Sequence, residues 1–272
     1  MKIRRVFLLT IITVGLFVTA GCGNETGTAS ENEQVTLKVG AASVPHAEIL
    51  EFIAPDLEAD GVKLEIVNTT DGIQTNQQTA DGDLDANFFQ HTPYLDQVNK
   101  DSGLDLVVVE GIHIEPFGVY SKKINSIDDL SDGAQIAIPN NPSNFSRTLI
   151  LFEENGIIEL DDEKSGDYLL EDITENNKNL EFVPVDPPLL VHSLDDVDAS
   201  AINTNYALEA NLKPLEDSLI IEGVDSPYVN VLVSRTDNKD TELIQKLAEA
   251  LTTEKVREFI LEEYEGAVVP AF

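Results

Sequence analysis

Residues Asp83 to Tyr94 read DLDANFFQHTPY, and the fold turns on how this stretch is read. Ala80-Asp81-Gly82-Asp83 is a turn, Asp85-Ala86-Asn87 opens a short strand, and Phe88-Phe89 continues it. The chain then breaks at Gln90-His91-Thr92-Pro93, where Pro93 suits the first turn of a helix. Two phenylalanines, His91 and Tyr94 therefore gather where a strand meets a helix. In an open α/β sheet, ligands sit just beyond the carboxyl ends of strands. An imidazole, an amide and a phenol among aromatic faces suit a small amphipathic molecule. Buried aromatics are also what a core needs, so the stretch alone serves either purpose.

The rest of the chain is long enough for one large or two modest domains: 272 residues, 42% hydrophobic. Its charge is unusual. Lys+Arg 17 against Asp+Glu 50 gives −33, and setting aside Lys2, Arg4 and Arg5 of the leader leaves 14 against 50, or −36. Such a surface repels nucleic acid and lacks a basic patch for anionic lipid. Solubility explains it in part; the sharper expectation is adaptation to saline or alkaline surroundings, where screening relieves self-repulsion. The melting temperature is then expected to rise with added salt, by about 2–4 °C for each kcal/mol of repulsion removed. A flat or falling curve rejects the idea.

Met1 to Arg5 is basic and Val6 to Ala20 mostly apolar, the n- and h-regions of a secretory signal. It closes on Val18-Thr19-Ala20-Gly21-Cys22, which resembles a bacterial lipobox with Thr19 in place of the commoner leucine. Residues 1–21 are thus expected to be a lipoprotein signal peptide, with Cys22 taking a diacylglycerol. Cys22 is the sole cysteine, which excludes an internal disulfide or a cysteine metal cluster. Residues 22–34, small and polar, read as a flexible tether. The expected location is the extracytoplasmic face of the cell membrane, held by lipid.

Val35–Gly40 and Leu64–Val67 read as strands around a helix marked by Ile49, Leu50, Ile53 and Leu57, with Ser43 as its cap. This is the opening of a parallel sheet. Asp71–Asp81 reads as a loop and a polar helix, and Gly111–Lys122 as a strand broken at Pro116-Phe117-Gly118, a hinge candidate. Ala134–Pro139 is a strand, followed by NNPSNFSR (140–147) and a helix stopped by Gly156. Arg147 in the first turns of that helix would grip a carboxylate with two prongs, or serve a salt bridge. Tyr168–Ile173 reads as helix, and Leu180–Val185 and Ala199–Asn203 as strands. Asp225–Arg235 is the crossing back, carrying Asn230. Asn203 and Asn230 can bind an ammonium without adding charge, or simply form turns. Two last helices start at Asp240 and Thr253 as caps and bury Leu243, Ile244, Leu247, Leu251, Val256, Phe259, Ile260 and Tyr264.

The segments HAEIL (46–50), ADGDLDANFFQHTPYLDQ (80–97), EPFGVYSKK (115–123), AIPNNPSN (137–144), LDDVDASAINTNYALEA (194–210), DSPYVNVLV (225–233) and GAVVPAF (266–272) resemble, in order, the methionine-binding lipoproteins of ABC importers, the NlpA/MetQ-type substrate-binding family. The resemblance runs from about Val39 to Phe272. It implies an α/β, two-lobed type II periplasmic-binding-protein fold with two hinge crossings: lobe 1 from residues 35–117 and 231–272, lobe 2 from 118–230. It also implies a lipid-anchored solute-binding protein that captures L-methionine, or a related amino acid or dipeptide, and delivers it to an ABC permease and its ATPase. Arg147 would hold the ligand carboxylate, Asn203 and Asn230 its ammonium, and Phe89, His91 and Tyr94 its side chain, where a thioether gains from aromatic edges. Many members carry Asp-Tyr where this chain has Asp71-Gly72, so a hole beside the side-chain pocket is expected. A second departure, Val191-His192 where Pro-Arg is commoner, has no reading.

No cofactor and no enzymatic activity are expected: GxSxG is absent and no nucleophile–base pairing is evident. The alternative from another class is a metal-binding surface lipoprotein using His46, His91, His113 and His192, whose scatter lacks any paired spacing. A purely adhesive lipoprotein is a further option, since fold does not fix function.

Overall fold

The computed structural model describes residues 34–272; the leader, Cys22 and the tether up to residue 33 lie outside the described residues. The strands are β1 (Val35–Ala41), β2 (Val62–Asn68), β3 (Ala86–His91), β4 (Val107–Ile114), β5 (Gly118–Tyr120), β6 (Gln135–Pro139), β7 (Glu159–Leu160), β8 (Ile173–Glu175), β9 (Glu181–Val185), β10 (Ala199–Ile202), β11 (Ser218–Ile221), β12 (Val229–Ser234) and β13 (Val269–Pro270). They build a six-stranded sheet, β2-β1-β3-β12-β4-β13, and a five-stranded sheet, β11-β5-β10-β6-β9, with β7 and β8 as a separate pair. Each large sheet is the centre of one lobe.

In the first lobe β1 lies parallel to both β2 and β3, while β12 runs antiparallel between β3 and β4. The helix Glu48–Ala59 buries Ile49, Leu50, Ile53 and Leu57, the face its spacing marks. The helices Glu242–Leu251 and Glu254–Glu263 add Ile244, Leu247, Leu251, Val256 and Ile260 to the same core. In the second lobe Ile136, Ile138, Leu149 and Phe152 pack with Phe117 and Val119. The chain passes between lobes twice, through Glu115–Phe117 after β4 and through Glu222–Tyr228 before β12.

Several local expectations change. Val229 and Asn230, assigned from sequence to the second lobe, pair with Ile114 and His113 on β4, and Asn230 also with His91 on β3; they belong to the first sheet. Ser43 makes no cap: the chain turns through Ser43–Ala47, and Ala47 precedes the helix with no side-chain cap bond. Thr241, not Asp240, precedes the helix Glu242–Leu251. Tyr168–Ile173 is a short 3-10 turn, Leu170–Asp172, running into β8. Thr253 and Ser126 do cap, accepting from the backbone N–H of Val256 and Asp128.

Candidate functional site

Strand pleating separates the two phenylalanines of β3: Phe88 is fully buried in the core, while Phe89 faces a cavity of about 540 Å³. The cavity is lined from both lobes, and Phe89, His91, Tyr94, Arg147, Asn203 and Asn230 all border it. Of the two aromatics, Phe88 serves the core and Phe89 is placed at the cavity wall.

His91 ends β3 and caps the helix Thr92–Ser102, its Nδ1 accepting from the Tyr94 N–H at 3.1 Å. Its Nε2 then carries the proton and donates to Asn144 Oδ1 at 2.9 Å, across to the second lobe. Burial, and next the charge of Arg147, push the His91 pKa down to about 3, against the Asn144 bond. The imidazole is neutral. A second bond between the lobes runs from the Ser143 N–H to Gln97 Oε1 at 3.1 Å.

Arg147 lies on the helix Pro142–Glu154, started by Asn141, whose side chain accepts from the Asn144 N–H. Its guanidinium is 3% exposed and tightly held. Nε donates to Glu222 Oε1 at 3.1 Å, and Nη2 donates to Glu222 Oε2 and to the Glu115 carbonyl, the latter at 2.9 Å. Cζ sits 4.2 Å from the Tyr228 ring centroid and 5.2 Å from that of Phe117. Nη1 is without a hydrogen-bond partner among the described residues. Of the two sequence readings, the salt bridge is present, to Glu222, and the residue also borders the cavity.

The two asparagines differ in what they offer. Asn203 donates through Nδ2 to Asn144 Oδ1 at 3.1 Å, and its own Oδ1 is buried without a partner among the described residues. Asn230 Oδ1 lies 3.1 Å from His46 Nε2. Asn203 therefore has a free acceptor, and Asn230 free donors.

Likeness in sequence and in structure places the chain among known proteins. The profile described as NlpA lipoprotein matches residues 37–272. The chain belongs to the NlpA lipoprotein family. A relative from Pasteurella multocida, called a probable D-methionine-binding lipoprotein MetQ, is 39% identical over 99% of each chain. The methionine-binding lipoprotein MetQ of Bacillus subtilis is 38% identical over 98% of each. A nutrient binding protein from Burkholderia cenocepacia, solved bound to methionine, superposes with a TM-score of 0.84 at 40% identity, covering 87% of this chain and 100% of that one.

Against the NlpA family pattern, the expected hole at Gly72 is filled. Asp71 caps the helix Gly72–Asp81, and a Cβ placed on Gly72 would stand 2.6 Å from Tyr94 Oη and 2.8 Å from a ring carbon of Phe89. The two rings occupy the space that a larger residue would take.

The four-histidine metal set does not assemble in this NlpA member. His91 is committed to Tyr94 and Asn144, and His192 is exposed on the helix Leu190–Ser193. His46 and His113 do meet, together with Glu115: their candidate ligand atoms lie within 4.8 Å of one another. A metal-bound imidazole ordinarily donates its second nitrogen to an oriented partner, yet both Nδ1 atoms here are buried and unpaired. The cluster is held by ordinary hydrogen bonds: His113 Nε2 to Glu115 Oε1 at 2.8 Å and His46 Nε2 to Asn230 Oδ1 at 3.1 Å, with His46 Nε2 also 3.3 Å from Glu115 Oε1.

Sequence reasoning missed Glu115, Asn144, Glu222 and Tyr228. Glu115, Asn144 and Tyr228 stand inside quoted motifs, in the strand before the hinge candidate, the turn after Pro139 and the crossing back, with no local feature that singles them out. Glu222 is one acid among 50, with no local feature to separate it.

Proposed function

We propose that this chain is a lipid-anchored, extracytoplasmic solute-binding protein. It captures methionine, or a close derivative or dipeptide, between its lobes and passes it to an ABC permease with its ATPase. The observation that carries the reading is the cavity itself: a rigid guanidinium with one free edge at one side, and the rings of Phe89, His91 and Tyr94 at the other. With the amides oriented as their hydrogen bonds place them, Arg147 Nη1 and Asn230 Nδ2 take the carboxylate, and Asn203 Oδ1 accepts from the ammonium. This revises the pairing of both asparagines with the ammonium. The neutral His91 lets an apolar thioether lie beside it without desolvating a charge. Closure of the lobes excludes water and strengthens the polar contacts. The membrane is reached through lipid on Cys22; among the described residues no helix is long and apolar enough to cross a bilayer.

The test is mass spectrometry of whatever denaturation releases from the purified protein, followed by calorimetry with L-methionine, D-methionine and a methionine dipeptide. Absence of binding to all three rejects the reading. Gly72→Ala is expected to weaken the tightest of them by about 1–3 kcal/mol, because the new methyl drives Tyr94 and Phe89 into the side-chain pocket. Undiminished affinity would show that these rings do not border the bound side chain.

A further inference from the structure

Glu115 stands at the first crossing between lobes, borders the cavity, and is 6% exposed. Two donors reach its carboxylate, His113 Nε2 at 2.8 Å on Oε1 and the Asn205 backbone N–H at 3.0 Å on Oε2, and His46 Nε2, bonded to Asn230 Oδ1, lies 3.3 Å from Oε1. None of these brings a charge. Burial pushes His46 down to about 4 and His113 to about 3, so both are neutral at ordinary pH. The nearest cation, Arg147, touches Glu115 only at its carbonyl and has its charge offset by Glu222. On the outer side, Tyr264 bonds to Glu48 and to the Pro45 carbonyl, which adds no cation either. A buried carboxylate with donors but no counter-ion is costly, and the missing charge must come from what fills the cavity.

We propose that Glu115 is the counter-ion of the ligand's α-ammonium and the residue by which the cleft selects a free amine. This rests on the amino-acid reading above and adds a determinant to it. Arg147 and Glu222 already cancel, so the ligand's carboxylate is recognised mainly by hydrogen-bond geometry, whereas its ammonium meets an uncompensated charge. His46 joins the two ends of this arrangement, reaching both Glu115 and Asn230 Oδ1. Its ring lies edge-on to Phe88 at 4.7 Å between centroids, which fixes its plane. Burial raises the Glu115 pKa, and the polar groups around the carboxylate, together with Arg147, oppose it. An arriving ammonium lowers it again, so binding releases a proton at any pH where Glu115 is partly protonated beforehand.

Calorimetry of the wild type and Glu115→Gln, with L-methionine and with its des-amino analogue, tests the assignment. The wild type is expected to prefer methionine by well over tenfold, as close buried charge pairs do. Glu115→Gln is expected to shrink that preference by at least about tenfold. Over a pH series that carries Glu115 from protonated to ionised, the wild-type binding heat should vary with the ionisation enthalpy of the buffer in the titrating range, and in the variant this dependence should vanish. An unchanged preference in a folded Glu115→Gln that still binds methionine overturns the proposal. Should the variant not fold, a wild type that binds the des-amino analogue as tightly as methionine, with buffer-independent heat, overturns it alone. A wild type that binds neither compound instead rejects the amino-acid reading.

Discussion

Arg147→Ala is expected to abolish tight methionine binding, with a loss of about 2–5 kcal/mol, the range for a buried charged hydrogen bond deprived of one partner. At about 1.4 kcal/mol per decade, that is roughly 30- to several-thousand-fold in Kd. The structure adds a second consequence. Removing the guanidinium strands Glu222, whose side chain is 11% exposed, beside the rings that had sandwiched the cation. Breaking one side of such a pair costs about 3–5 kcal/mol of folding stability. The two effects separate in the double variant Arg147→Ala/Glu222→Gln, which should regain much of the melting temperature and none of the affinity. Wild-type affinity in the single variant, measured by calorimetry, would remove Arg147 from the site.

Acid is expected to destabilise the ligand-free protein steeply. His46, His91 and His113 each fall from the ordinary 6.5, to about 4, 3 and 3, with burial as the leading cause. Between those values the unfolded chain binds protons that the folded one does not. The stability from these groups is complete above the unfolded pKa and drains as pH falls toward the folded values. At about pH 5 each histidine forfeits on the order of 2 kcal/mol. Glu115 works the other way, because its raised pKa makes the folded state hold a proton there, and it offsets part of the loss. The melting temperature should therefore drop sharply between about pH 7 and pH 5, and His113→Gln should flatten the curve. A constant melting temperature over that interval would mean that these imidazoles titrate normally.

Much of this was legible in the chain. The helix faces at Ile49, Leu50, Ile53 and Leu57, and the Pro-Gly break at the first crossing, follow from periodicity and turn chemistry, which act over a few residues. The six cavity residues were named because ordered motifs along the chain resemble a known family. Less local features were misread. The cap expected of Ser43 failed because the chain makes a separate turn before the helix. Asn230 was put in the wrong lobe because a crossing and the strand it feeds look alike until their hydrogen bonds are seen. The hole expected at Gly72 was filled by Tyr94 and Phe89, residues brought there by a different strand and helix.

The amino-acid sequence by itself determined most of the alternating strands and helices and the faces they bury, and its resemblance to a known family named six of the residues that border the cleft. Only the tertiary structure decided how charge is shared there: Glu222 reaches Arg147 across 75 residues, and His46 reaches Asn230 across 184. Local patterning reports which face of an element is apolar, since that choice is made residue by residue. Which donor meets which acceptor in a desolvated space is settled when segments far apart in the chain pack around it, and no short stretch of chain carries that information.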